Sequence, residues 1–213
     1  MAKLVSSFKN MALSLTCIAL VAAGALAGVY MLTMAPIEAA MKAKQETAIM
    51  QVLPQVEGLQ VAEAQVFNGL TYYKAYVGEE WVGTAVEAST EGNVNMPFGG
   101  TFRLMVGFDN VGNVVNYVVL EQAETPGLGA LMVSWFCNAD KPGQNIIGKN
   151  PATTNFTVSK DGGDIDAITA STITSRAFLE VVVKAFNAIA QQPMPLEATS
   201  GATQLTTEEG GLQ

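Results

Sequence analysis

The sequence predicts an α+β protein, with one transmembrane helix at the N-terminus followed by a domain built on an antiparallel sheet with flanking helices. Three observations predict it. Residues 11–35 (MALSLTCIALVAAGALAGVYMLTMA) run for 25 positions without a charge. Two pairs of β-rich segments are each joined by a short turn sequence. Near the C-terminus, apolar residues recur at helical spacing.

At about 1.5 Å per residue, the uncharged run exceeds the ~30 Å hydrocarbon core of a bilayer. Ala25-Leu26-Ala27 ahead of Gly28 resembles a signal-peptidase site, so a cleaved signal is the alternative, but the run is longer than an ordinary signal core and favours a retained anchor. Lys3 and Lys9 precede it, and Lys42 and Lys44 follow it closely. The basic flanks nearly balance; the short N-terminus is assigned to the cytoplasm and the remainder to the outer, periplasmic side of a bacterial inner membrane. Residues 37–53, between Pro36 and Pro54, are rich in helix formers and read as a helical stalk.

Residues 70–77 (LTYYKAYV) and 81–88 (WVGTAVEA) flank Gly78-Glu79-Glu80, and residues 101–108 and 114–121 flank Asp109-Asn110-Val111-Gly112-Asn113. Both read as hairpins. Residues 130–137 predict a short helix and residues 155–160 (NFTVSK) a further strand, before a turn at Asp161-Gly162-Gly163-Asp164. From about Ser175 to Gln191 the positions Phe178, Val181, Val182, Ala185, Phe186 and Ile189 form one helical face, and Pro193 follows. The expected division is 1–36 for N-terminus and span, 37–60 for the stalk, 61–193 for the domain, and 194–213 for a polar tail.

Composition narrows the function. All 19 acidic residues follow the span, with 9 of the 11 basic ones. Such a surface repels phosphate backbones and excludes nucleic-acid binding. Histidine is absent, which removes the commonest general base and metal ligand. Cys17 lies inside the span and Cys137 far beyond it, so no known spacing for zinc or iron–sulfur ligation occurs. Redox work by this chain therefore needs an organic cofactor. Trp135 and Cys137 are expected in the core or at its margin.

The informative stretch is Asp164-Ile165-Asp166-Ala167-Ile168-Thr169-Ala170-Ser171-Thr172-Ile173-Thr174-Ser175, which concentrates hydroxyls and small residues at the start of the last helix. Free N–H groups and the helix dipole suit a phosphate there; simple capping by Ser or Thr is the alternative. A second stretch, Glu124-Thr125-Pro126-Gly127-Leu128-Gly129, carries Pro and Gly at the centre of a type II turn. Lys160 is a candidate to neutralise phosphate charge or, equally, a solvated strand end. Tyr72, Tyr73, Tyr76 and Trp81 are candidates for ring stacking or, as strand aromatics usually are, for packing.

These two stretches carry a resemblance. Thr169-Ala170-Ser171-Thr172, followed by Ile173-Thr174-Ser175, resembles the flavinylation motif of FMN-binding domains, usually Ser/Thr-Gly-Ala-Thr; Ala170 and Ser171 depart from it but stay small. Glu124 to Gly129 is similar to the Glu-Thr-Pro-Gly-Leu-Gly signature of the same domains, and Gly83 and Phe98-Gly99-Gly100 fit its pattern. The resemblance implies FMN esterified to Thr172 by a separate flavin transferase, with Thr169, Ala170, Ser171, Thr174, Ser175, Lys160 and the residues 124–129 around the cofactor. In length, single anchor and motif order the chain resembles the G subunits of Rnf electron-transport complexes. That resemblance implies an electron relay among other membrane subunits, between ferredoxin and NAD, coupled to sodium or proton translocation. The C subunit of the sodium-pumping NADH:quinone reductase, or a flavin-binding module outside such a complex, is the alternative.

Overall fold

The computed structural model describes residues 7–191; the expected polar tail lies outside them. The chain opens with α1 (Phe8–Val52), a single helix of 45 residues. It is long and apolar enough to cross a membrane, and none of its most apolar stretch is buried by the rest of the protein. Residues 37–52 are helical, one short of the expected stalk helix at 37–53, and are not a separate element, because α1 passes through Pro36 without interruption. Proline forfeits one i−4 hydrogen bond there, and the turns on either side hold the helix.

Six strands follow: β1 (Leu59–Val61), β2 (Gln65–Phe67), β3 (Leu70–Val77), β4 (Glu80–Ser89), β5 (Arg103–Asp109) and β6 (Val114–Glu121). They form one antiparallel sheet in the order β1-β3-β4-β5-β6, with β2 also on β3. Both expected hairpins are present. The turn Gly129–Leu131 leads into α2 (Met132–Trp135), the short helix anticipated for residues 130–137. The last helix, α3 (Thr172–Ala190), starts three residues before the predicted Ser175.

The sheet is covered on both faces, which explains why β5 is buried at five successive positions. Side chains alternate along a strand. On one face Tyr72, Val86, Leu104, Val106 and Phe108 meet Phe178, Val181, Val182 and Ala185 of α3. On the other, Ala75, Ala85, Met105 and Leu120 meet Ala48, Ile49, Val52 and Leu53 at the end of α1. The anchor helix thus completes the domain core. A Cβ on Gly107 would lie 1.8 Å from the Val52 carbonyl oxygen, so only glycine lets the helix end approach β5. Polar contacts reinforce the seat: Lys44 donates to the Leu120 carbonyl, Gln45 to Glu87 at 2.6 Å, and Asn116 to the Gln51 carbonyl at 3.1 Å.

Two expectations are corrected. Residues 155–160 form no strand: Val158 makes one isolated bridge to Ile165, and Ser159–Asp161 is a 3-10 turn. Phe156 and Val158 alternate like a strand because both plug the α3-side core from a loop. Cys137 is exposed rather than packed, although Trp135 lies against the core as expected. The three-residue strands β1 and β2 escaped a reading that depends on longer alternation. Of the aromatic candidates, Tyr72 is a core residue, and its buried hydroxyl has no partner among the described residues. Trp81 donates to the Gly83 carbonyl at 2.8 Å, within its own strand.

Candidate functional site

Thr172 is the first residue of α3, with Ser171 in the cap position. The cap is not a capping hydroxyl: Ser171 makes no side-chain bond to the helix backbone and donates instead to Thr174 Oγ1 at 2.9 Å. The N–H groups that open any helix lack intrahelical acceptors. No side chain caps them at the start of α3.

The hydroxyls of the stretch divide into two sets. Ser171, Thr174 and Ser175 are buried and bonded internally, with Thr174 donating to Glu124 Oε2 at 3.0 Å and Ser175 to the Ser171 carbonyl at 2.9 Å. Ser175 Oγ also accepts the Ile168 N–H at 2.9 Å. Thr169 is exposed and Thr172 half-buried. Of these two, Thr172 stands at the helix entrance, where Lys160 Nζ lies 3.5 Å from its Oγ1.

Ala170 explains the departure from the usual glycine. Its φ is 58°, in the left-handed region, a conformation that glycine takes without strain and alanine does not. A glycine at this position would take the same φ without strain.

The second stretch reaches the first through Glu124. This buried carboxylate accepts the Gly99 N–H at 2.7 Å on one oxygen and the Thr174 hydroxyl at 3.0 Å on the other. Gly129 packs against it so closely that a Cβ there would fall 2.0 Å from Oε2. Between them the Leu128 N–H bonds the Thr125 carbonyl at 3.1 Å, and Gly127 has φ 77°, as the third position of a type II turn requires. Thr125, Pro126, Gly127 and Leu128 are exposed on that turn. The structure thus brings Glu124 and Gly129 to the start of α3 and leaves the rest of the signature facing solvent.

One pair went unread in the sequence. Arg176, one helical turn after Thr172, makes two bonds to Asp161 at 2.6 and 2.8 Å. The Arg176 guanidinium holds the Asp161 carboxyl below its ordinary range. Because Asp161 adjoins Lys160 in one 3-10 turn, the pair fastens the lysine-bearing turn to α3. A helix entrance with free N–H groups, a nearby ammonium and an accessible hydroxyl fits the phosphate of FMN in position and charge.

The arrangement defines an FMN-binding domain carried on a single membrane-length helix, and a family model described as FMN-binding domain matches residues 98–187. A relative from Haemophilus influenzae (strain PittEE), the G subunit of the ion-translocating oxidoreductase complex, is 31% identical over 158 residues, covering 71% of this chain and 75% of the relative. Proteins of the same name from Salmonella typhimurium (strain LT2) and Escherichia coli (strain K12) are 38% and 36% identical, each over 104 residues, 47% of this chain and 48% of the relative. The chain belongs to the family of G subunits of ion-translocating oxidoreductase complexes.

Proposed function

We propose that the chain is an electron-relay subunit carrying FMN as a phosphoester on Thr172, and that it passes electrons between partner subunits of an Rnf-type complex in the inner membrane. The observation that carries this reading is the division of hydroxyls: Ser171, Thr174 and Ser175 are buried and committed to internal bonds, whereas Thr172 meets Lys160 at the entrance of α3. In the ester, Thr172 Oγ1 loses its proton and bonds the phosphorus of FMN, which a flavin transferase would take from a flavin dinucleotide donor, with the nucleoside monophosphate as the leaving group. Lys160 and the first-turn N–H groups offset the phosphate charge. The flavin supplies the redox chemistry; the chain supplies position and electrostatics. Ferredoxin and NAD are the terminal partners, with ion movement in the membrane subunits, and the domain at 61–193 lies on the periplasmic side.

The test is the full chain co-expressed with a flavin transferase. The parent should carry a mass increment of one FMN and fluoresce in a denaturing gel. Thr172→Val keeps nearly the same shape, so it should insert, fold and lose both signals. Flavin mapped by peptide analysis to Thr169 or another neighbour, or retained in Thr172→Val, overturns the assignment.

A further inference from the structure

We infer that the loop between β4 and β5, with the β2–β3 turn beside it, is a membrane-contact rim whose exposed Phe98 sits in the lipid interface of the same bilayer that α1 crosses. The inference is independent of where the flavin is attached.

The contact between α1 and β6 sets the height of the sheet above the bilayer. Lys44 bonds the Leu120 carbonyl, and Gln51 meets Asn116, so β6 runs alongside α1 and back toward the membrane as its numbering rises. Lys44 lies nine positions beyond the uncharged run, or about 14 Å along the helix. Glu38 and Met41, closer still to the run, share a cavity with Glu87, Arg103 and Leu120. The end of the sheet formed by Arg103 and Glu121 therefore stands about 10 Å beyond the uncharged run, one strand residue nearer than Leu120, just above a polar interface roughly 5–7 Å thick on each side. Segments that extend past Arg103 and Glu121 go deeper.

Two segments do. A Cβ on Gly99 would lie 2.4 Å from the Ala123 carbonyl, two residues past Glu121, so the β4–β5 loop descends beside the start of the signature turn. The β2–β3 turn, at Asn68-Gly69, occupies the same end, because Thr71 pairs with Glu87.

The chemistry of this rim suits lipid. In a strongly acidic domain, residues 92–101 (GNVNMPFGGT) contain no charge. Phe98 is 85% exposed and Met96 51%, and on β2 Val66 is 75% exposed. The loop side chains are held outward by a fixed backbone: the Val94 and Asn95 N–H groups bond Glu180 at 2.9 and 3.3 Å, and the Gly99 N–H bonds Glu124. A rigid loop showing large apolar residues at headgroup level has lipid as its partner. The absence of charge matters because the acidic surface elsewhere is repelled by anionic lipid.

The test uses the full chain in nanodiscs of phosphatidylethanolamine and phosphatidylglycerol, in a Cys17→Ala, Cys137→Ser background. A nitroxide is placed through Phe98→Cys, and a control label through Val111→Cys, a 71% exposed position on the β5–β6 turn at the opposite end of the sheet. Spin relaxation by lipid-soluble oxygen should exceed that by an aqueous nickel chelate several-fold at position 98, with the reverse at position 111. Equal access of the chelate to both labels overturns the inference. So does a label at position 98 that is open to the chelate in lipid alone and shielded only in the assembled complex, which would assign the rim to a protein partner.

Discussion

Glu124 and Thr174, fifty positions apart, are joined by a buried hydrogen bond of 3.0 Å, and through it the turn signature and the hydroxyl-rich motif become one site. Glu124→Ala should leave the Thr174 hydroxyl and the Gly99 N–H without their acceptor. Leaving a buried donor unsatisfied costs about 1–3 kcal/mol, and two are orphaned here, so a loss of roughly 2–6 kcal/mol is expected by denaturant titration, accompanied by weaker flavin loading. Glu124→Gln, which keeps one carbonyl oxygen, should recover part of both. Full loading and unchanged stability in Glu124→Ala would sink the claim that this bond assembles the site.

Ala170 is the one departure from the usual motif with a measurable cost. Its φ of 58° strains an alanine by about 1 kcal/mol. Ala170→Gly should therefore raise the denaturation midpoint while leaving flavin loading unchanged. A lower midpoint would show that the left-handed conformation is not strained in this context.

Gly107 controls how α1 seats on the sheet. In Gly107→Ala the new methyl would meet the Val52 carbonyl at 1.8 Å, and backbone must shift. Overpacking of this kind costs about 3 kcal/mol or more. Hydrogen exchange should rise at residues 48–53 before it rises in α3; uniform protection in the variant would contradict the close approach.

Pattern length decided which elements were legible in the sequence. The β3–β4 and β5–β6 hairpins and the α3 face repeat their periods over seven or more residues, and both motifs are contiguous. The seat of α1 was not legible, because Ala48, Ile49 and Val52 follow the polar stretch 42–47 in a segment that reads as a stalk, and nothing local shows what they pack against. Gly107 sits in a strand that reads well without it. Phe156 and Val158 show the opposite error, strand-like alternation produced by loop side chains reaching the core. The tie of Arg176 to Asp161 at the site and of Glu180 to Val94 in the β4–β5 loop joins residues distant in sequence or set in different elements, with no signature in either segment.

Tyr72 offers a test of the core that leaves the site untouched. Its hydroxyl is fully buried without a partner among the described residues, and an unsatisfied buried polar group costs about 1–3 kcal/mol. Tyr72→Phe should accordingly stabilise the domain by about 1 kcal/mol. A destabilised Tyr72→Phe protein would reveal an acceptor for that hydroxyl.

The fusion of α1 with the sheet makes the anchor a lever. Residues 48–53 are shared between helix and domain core, so the upper part of α1 and the sheet turn together as one piece. The weakest rung of the helix is at Pro36, where an N–H is missing from the ladder and the uncharged run gives way to Glu38. A bend there would carry residues 37–53 and the sheet together, so the orientation of the domain is set at one point of the helix, beside the membrane surface.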